Sequence, residues 1–168
     1  KFIELRQNYP FTLKNIYKML EIIVGTRSGT MNRAIVEAVD NFTKHTHENR
    51  YSIEGWKTNS GHMLNKKFIV ESACDTRWSS GLKVSGGWSY DRLNDLQKAL
   101  CYLMGINYDE IKMPEGYLTA GTWYEWGFFE FKVFKKGSGH FKFKDLKAWE
   151  TINRQYAEIK GEVLPEKI

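Results

Sequence analysis

Two short runs near the C-terminus alternate apolar with polar residues, and this alternation restricts the fold of the chain more than any other feature. Side chains two positions apart share one face of a strand. A turn signal, Lys136-Gly137-Ser138, separates the two runs. The pattern therefore predicts an antiparallel β-hairpin with one apolar face and one basic face. Its apolar residues are Phe129, Phe131, Val133, Phe141 and Phe143.

The register of this hairpin is limited by the requirement that both apolar sets share one face. Paired residue numbers must then sum to an even number, so the loop between the strands has an odd length. A three-residue loop fits the turn signal and places Val133 opposite Phe141. In this register Lys132 faces Lys142 on the basic side, a like-charge pair that an anionic ligand would relieve.

A helix is predicted directly after the hairpin. Asp145 suits the N-cap, and Gly161 suits the C-terminal end because glycine readily adopts the left-handed conformation found there. We expect the apolar stripe of this helix to pack on the apolar face of the hairpin and to form one core with it. The stripe has three- and four-residue spacing and consists of Leu146, Trp149, Ile152, Tyr156 and Ile159.

The rest of the chain predicts further helices and small hairpins. Apolar residues at helical spacing predict one helix over residues 10–25, a second from about residue 30, and a third over residues 89–105. Residues 51–70 are expected to be extended and to end in a short buried strand. The predicted class is α+β, with several helices packed on small antiparallel β-hairpins and a C-terminal β-hairpin followed by a helix.

Length and composition favour a single folded domain over residues 1–168, because the balance of hydrophobic and charged residues is that of a chain with a core. No apolar run approaches the length of about 20 residues that a membrane span needs, so we expect no membrane association and a cytoplasmic location. The chain starts at Lys1 without an initiator Met or a signal-peptide pattern. We therefore expect a fragment of a longer protein whose N-terminal part is missing.

Positive charge is concentrated in the predicted hairpin and the helix after it. Between residues 131 and 160 there are eight cations and three anions, and this excess of five equals the formal net charge of the whole chain, +5. Cations interleaved with aromatic residues on a sheet suit phosphate contacts and base stacking, whereas a solvated basic surface is the alternative. The predicted nucleic-acid-binding residues are Lys132, Lys135, Lys136, His140, Lys142, Lys144 and Arg154.

Motifs of several enzyme classes are absent from the sequence. It has neither a Walker loop nor a GxSxG motif, and its prolines are never adjacent, which excludes the Asn/Asp-Pro-Pro-aromatic site of adenine-N6 methyltransferases from this chain. One catalytic alternative remains. Glu130 and Lys132 share a strand face, and with Glu115 they could hold a divalent metal for phosphodiester hydrolysis, as in nucleases of the Glu-x-Lys type. The preferred interpretation has no catalytic residue, no metal and no cofactor.

Two stretches of the sequence form a distinctive pattern. One consists of residues 48–60 with residues 65–69, and the other of residues 129–143 with Trp149, Asn153 and Leu164-Pro165. Together they resemble an uncharacterised bacterial and phage family, a domain of unknown function. Members occur on prophages and conjugative elements, and in some the domain lies C-terminal to an adenine-N6 DNA methyltransferase module. The resemblance implies DNA-associated biology and carries over no catalytic residues.

These observations favour a non-catalytic, nucleic-acid-associated accessory domain of a phage or mobile-element protein, with DNA expected over RNA. Two alternatives remain: a metal-dependent nuclease, and a protein-interaction module whose partner comes from the same mobile element. A metal beside Glu130 would favour the nuclease. A broad exposed apolar patch would favour the interaction module.

Overall fold

The computed structural model describes residues 12–43, 63–75, 82–84 and 87–161, and the chain falls into two compact units, residues 1–33 and 34–168. Residues 48–60, which carry part of the resemblance, lie outside the described residues, as does most of the predicted extended segment. None of the described helices combines the length and apolar character that a membrane-spanning helix requires. The observed class is α+β, as predicted.

Helix α1 spans Leu13–Thr43 as one continuous helix, whereas the sequence predicted two helices with a break at Gly25. A glycine inside a helix costs only about 1 kcal/mol relative to alanine, which is too little to end a helix that is stabilised elsewhere. The Thr26 hydroxyl beside this glycine donates a hydrogen bond of 2.8 Å to the Ile22 carbonyl and keeps its side chain on the helix. The predicted break is therefore wrong.

A four-stranded antiparallel sheet and a two-stranded sheet lie in the second unit. The smaller sheet pairs two short strands, β2 and β3, and the larger has the spatial order β1-β6-β5-β4. The bounds are β1 (Lys67–Val70), β2 (Cys74–Asp75), β3 (Lys83–Val84), β4 (Tyr124–Trp126), β5 (Phe129–Val133) and β6 (Gly139–Phe143). The predicted short strand before residue 71 is confirmed as β1. It pairs with β6, which comes much later in the sequence.

Strands β5 and β6 confirm the predicted hairpin and its apolar face, but the predicted register is wrong. The connecting loop is the five-residue segment Phe134–Ser138 rather than a three-residue turn, so Val133 lies opposite Gly139. The Phe134 N–H donates to the Ser138 carbonyl at 2.9 Å, which closes the longer loop. With either loop length the numbers of paired residues sum to an even number, so both place the apolar residues on one face. The requirement of a shared face therefore could not distinguish a three-residue from a five-residue loop.

The shifted register changes the neighbours of the basic residues. Lys132 lies opposite His140, and Lys142 lies opposite Glu130. The predicted like-charge pair of Lys132 and Lys142 is therefore wrong, and an opposite-charge pair stands in its place. Such a cross-strand pair stabilises a sheet rather than weakening it.

Two helices of the second unit begin and end near the predicted residues. Helix α2 spans Trp88–Met104 and ends at Gly105, which has the left-handed conformation. Helix α3 spans Leu146–Lys160; the Asp145 carboxylate caps its first turn and Gly161 ends it, as predicted. A single 3-10 turn, Tyr108–Glu110, follows α2.

One hydrophobic core joins the inner face of the large sheet to α2, α3 and the C-terminal part of α1. The ring of Phe42 in α1 lies 5.2 Å, centroid to centroid, from Phe68 in β1. Only Leu146 departs from the predicted stripe, since its side chain is half-exposed at the start of α3. The predicted core cluster is confirmed, because all of its members are buried: Phe131, Val133, Phe141, Phe143, Trp149, Ile152 and Tyr156.

Candidate nucleic-acid interface

The face of the large sheet that points away from the core carries most of the predicted contact residues. Side chains alternate along a strand, so the residues between the buried phenylalanines of β5 and β6 all point to this side. Together with residues on and just before β4 they form what we call the outer face. Its members on β4, β5 and β6, or next to these strands, are Trp123, Glu125, Glu130, Lys132, His140, Lys142 and Lys144, and β1 adds Lys67 and Ile69 on the same side.

One half of the outer face consists of paired charges. The Lys142 ammonium forms an ion pair with the Glu130 carboxylate directly opposite, and Lys144 Nζ lies 2.7 Å from Glu125 Oε2. The hydrogen bond and the charge of Lys144 lower the pKa of Glu125. Both carboxylates also lie opposite one another across β4 and β5, so each lysine offsets a repulsion within the sheet.

The other half of the outer face combines a cation with aromatic rings. Lys132 Nζ lies 4.8 Å from the ring centroid of Trp123 and 5.4 Å from that of Phe134, distances typical of cation–π contacts. Lys142 Nζ approaches the Trp123 ring as well, at 4.5 Å. No carboxylate of the described ranges forms an ion pair with Lys132. Its charge is therefore available to an anionic ligand, unlike that of the carboxylate-paired lysines.

The pKa of the His140 imidazole is sensitive to the positive charges in this half of the outer face. The ring centroid of this imidazole lies 4.5 Å from that of Phe134, which partly buries it. Burial, followed by the charges of Lys132 and Lys136, lowers the pKa of His140 to about 4. At neutral pH the imidazole is uncharged, so His140 contributes a polar ring rather than a cation.

The turn between β5 and β6 extends the cationic half beyond the sheet. Lys135 and Lys136 are both exposed there. The turn is held from β2, because the Cys74 N–H donates to the Gly137 carbonyl at 3.1 Å and its thiol donates to the Phe134 carbonyl at 3.6 Å. Burial is the main reason that the pKa of the Cys74 thiol is raised, so this residue acts as a neutral donor.

Two predicted residues lie apart from the outer face. Arg154 is exposed on α3, which packs on the opposite, inner side of the sheet. Glu115 is exposed in the connection before β4, and Glu130 is engaged by Lys142. Among the residues that the structure describes, no group of three or more His, Cys, Asp and Glu side chains could hold a metal ion. The nuclease alternative thus has no metal-binding cluster in this part of the chain.

Trp123 and Glu125 are the two residues on and just before β4 that belong to the outer face and that the sequence did not predict. A weak signal was present, since Trp123 and Glu125 alternate with the inward residues Tyr124 and Trp126. The segment is too short for this alternation to predict a strand by itself. Its pairing with β5 makes it one, and that pairing places Trp123 above Lys132.

Comparison with known protein families gives one match, to the family described as a domain of unknown function, DUF4942, over residues 1–162. The chain belongs to this family. The resemblance drawn from the sequence is confirmed to this extent, and the matched part of the DUF4942 chain includes the entire outer face and helix α3. No curated protein and no solved structure matches the chain.

Proposed function

We propose that this DUF4942 chain is a non-catalytic nucleic-acid-binding domain and that the outer face, with the adjoining turn, is its interface. The observation that carries the proposal is the position of Lys132, whose ammonium lies within cation–π distance of both Trp123 and Phe134. Phosphate contact and base stacking need cations and aromatic rings on one surface. In the proposed complex Lys132, Lys135 and Lys136 contact phosphates.

The charge distribution supports a polyanion as the ligand. Burial is the main reason that the pKa of His140 is lowered, and the charges of Lys132 and Lys136 act in the same direction, which supports a positive potential at this site. An anion bound there would reduce that potential. Lys142 and Lys144 are already neutralised by Glu130 and Glu125, so they serve mainly to position the sheet and the Trp123 ring.

The biological setting of the proposal rests on the sequence resemblance. It favours DNA over RNA as the nucleic acid, and an accessory role in a phage or mobile-element protein, in some cases beside an adenine-N6 DNA methyltransferase module. The absence of a methyltransferase motif from this chain agrees with an accessory role.

Salt-dependent binding tests the proposal. The affinity of the 168-residue chain for DNA should fall linearly with salt on logarithmic axes, because bound lysines release counterions from the phosphates. Lys132→Ala and Lys135→Ala should each reduce the slope by about 0.7–0.9, depending on the type of strand. Lys142→Ala should reduce it less, since the Glu130 carboxylate already acts as the counterion of that lysine.

The matched control is Lys18→Ala, an exposed lysine on the polar side of α1. It removes the same charge from the chain and should leave both affinity and slope nearly unchanged. Equal effects of Lys132→Ala and Lys18→Ala would contradict the proposed interface, because binding would then follow net charge alone.

A second candidate function, protein interaction, is favoured by an observation in the first unit. The part of α1 in that unit exposes a broad set of large apolar side chains, a feature typical of interaction surfaces. The set comprises Leu13, Tyr17, Met19, Leu20, Ile22, Ile23 and Val24.

The spacing and charges of this surface favour a second copy of the chain as the partner. Leu13, Tyr17, Leu20 and Val24 follow the alternating four- and three-residue spacing of a coiled-coil seam. In an antiparallel pair Leu13 would face Val24 of the second copy. The flanking exposed residues Lys14 and Glu21 would then approach each other as opposite charges, twice in the symmetric dimer.

Light scattering tests this second candidate. The wild type should have twice the chain mass of 19.7 kDa at high concentration. Leu20→Glu should give the monomer mass, because it places a charge in the seam, whereas Lys18→Glu on the polar side should leave the dimer intact. A wild type that stays monomeric at high concentration would contradict this candidate.

A further inference from the structure

The outer face presents an aromatic surface whose surroundings point to one form of nucleic acid. Trp123 is 39 % exposed although it lies over a sheet, and its ring is approached by two ammonium groups, from Lys132 and Lys142. An aromatic ring that is partly exposed beside cations can stack on a nucleic-acid base. The nearby cations place phosphate-binding groups next to this surface.

A second aromatic surface lies close by. The Phe134 ring contacts the His140 imidazole, which is uncharged at neutral pH, and it also lies within 5.4 Å of Lys132 Nζ. Because one ammonium is near both rings, the centroids of Trp123 and Phe134 are at most about 10 Å apart. Two rings within this limit can contact two bases that lie close together on one strand, as on the four-stranded sheets that stack two or three bases on aromatic side chains.

We propose that the ligand of the outer face is single-stranded nucleic acid, with one base stacked on Trp123, a neighbouring base near Phe134, and the intervening phosphate held by Lys132. This inference rests on the proposed function and narrows it. The turn lysines, Lys135 and Lys136, are exposed and would contact the adjoining phosphates of the same strand.

Double-stranded DNA fits the same surface poorly. In a duplex the faces of the bases are stacked on one another, and only their edges are accessible in the grooves. A protein reads those edges by inserting a helix or a β-ribbon, whereas Trp123 and Phe134 are carried on one broad sheet face beside paired charges. A duplex could therefore use the cations of the outer face but not its rings.

The test compares single strands with duplexes that have the same number of phosphates. Fluorescence anisotropy would measure the binding of labelled single strands of about 12 nucleotides, and of hairpin duplexes of equal charge, to the 168-residue chain. We expect at least tenfold tighter binding to the single strand. Trp123→Ala should weaken single-strand binding by about 5- to 150-fold, and duplex binding by less than twofold.

Two further variants keep the test specific. Trp123→Phe retains a stacking ring and should recover most of the single-strand affinity, which a merely structural role of the indole would not predict. Tyr102→Ala removes an exposed ring from α2, away from the outer face, and should change neither affinity.

The outcomes separate this inference from the function on which it rests. Equal wild-type affinity for single strand and duplex would overturn the inference, as would single-strand binding that Trp123→Ala leaves unchanged. If Lys132→Ala still weakens binding to both ligands in that case, the nucleic-acid interface stands and only its single-strand character is wrong. If neither ligand binds in a salt-dependent way, the proposed function itself is wrong.

Discussion

The side-chain amide of Asn153 hydrogen-bonds both backbone groups of Leu64, which precedes it by 89 residues. The Leu64 N–H donates to Oδ1 at 2.8 Å, and Nδ2 donates to the Leu64 carbonyl at 3.2 Å and to the Trp149 carbonyl at 2.9 Å. Trp149 Nε1 donates to the same Leu64 carbonyl at 2.7 Å. These two residues of the resembling pattern therefore join α3 to the backbone just before β1.

Replacement of Asn153 by alanine should destabilise the fold by about 1–3 kcal/mol, because the buried Leu64 N–H would lose its partner. Urea unfolding measures this change in the free energy of unfolding. The control is Glu158→Ala, an exposed position on the same helix, which should change stability by less than about 0.5 kcal/mol. A similar loss in both variants would show that helix propensity, rather than the contact with Leu64, is responsible.

Trp149→Ala should cost about 3–5 kcal/mol, because the side chain is 1 % exposed and its removal leaves a cavity. Trp149→Phe should cost less, since it retains an aromatic ring while it loses the hydrogen bond to Leu64. The difference between the two variants, measured by the same unfolding experiment, separates packing from hydrogen bonding. A near-neutral Trp149→Ala would contradict the packing of α3 on the sheet.

A second buried amide, that of Gln97, holds the turn between β4 and β5. Its Nε2 donates to the Trp126 carbonyl at 2.9 Å, and its Oε1 accepts from the Phe128 N–H at 3.1 Å. Gly127 lies between these two residues with φ of 53°. A Cβ added at Gly127 would lie 2.8 Å from the carboxamide carbon of Gln97, which its two hydrogen bonds hold in place.

Gly127→Ala should therefore destabilise the fold more than the backbone conformation alone explains. The left-handed conformation costs a residue with a Cβ about 1–2 kcal/mol, and displacement of Gln97 should add about 1–3 kcal/mol from its broken hydrogen bonds. Gly116→Ala is the matched control, because Gly116 also has a positive φ but open space around its Cβ position. Equal unfolding free energies for the two variants would contradict the role of Gln97.

The low pKa of His140 predicts a dependence of stability on pH. The folded-state pKa is about 4 and the unfolded value is about 6.5, so between these values the unfolded chain binds a proton that the folded chain does not. The contribution of His140 to the free energy of unfolding should therefore be fully present above pH 6.5 and should decrease as the pH falls towards 4. His140→Gln should have a flatter profile over this window in unfolding experiments at several pH values.

A bound polyanion should raise the pKa of His140, because it offsets the charges of Lys132 and Lys136. NMR titration of the imidazole with and without DNA measures this shift. An unchanged pKa in the saturated complex would place the ligand away from the outer face.

Glu130→Gln tests the nuclease alternative. In the presence of magnesium or manganese we expect no DNA cleavage by the wild type or the variant, because Glu130 is paired with Lys142 and belongs to no metal-binding cluster in the described residues. Cleavage that is abolished both by a chelator and by Glu130→Gln would replace the non-catalytic proposal with a metal-dependent mechanism.

Patterns within one element were sufficient to predict much of the second unit. The alternation in β5 and β6 identified the buried face of the hairpin, and the cap at Asp145 and the stop at Gly161 bounded α3. The core position of Trp149 followed from helical spacing alone. These features depend on residues a few positions apart, whose relation in a strand or helix is set by backbone geometry.

Features that depend on distant contacts could not be predicted in the same way. Helix α1 continues through Gly25 because it is stabilised elsewhere along its length, where Phe42 packs into the core. The parity rule allowed two loop lengths, and the hydrogen bond from the Cys74 N–H to the Gly137 carbonyl holds the five-residue loop that the structure has. The hydrogen bond of Cys74 to Gly137 leaves no periodic trace in the sequence, and the helical spacing of the apolar residues that include Phe42 does not tell whether the helix continues through Gly25.

The sequence by itself determined which residues of the hairpin point outwards and that this surface is basic, since both follow from alternation and charge. Only the tertiary structure decided how those charges are used. The pairing of β4 with β5 brings Trp123 over Lys132, and the register pairs Lys142 with Glu130, so only part of the basic surface is available to an anion. The physical reason is that the energy of a charge depends on its spatial neighbours, which strand pairing brings together from distant positions in the chain.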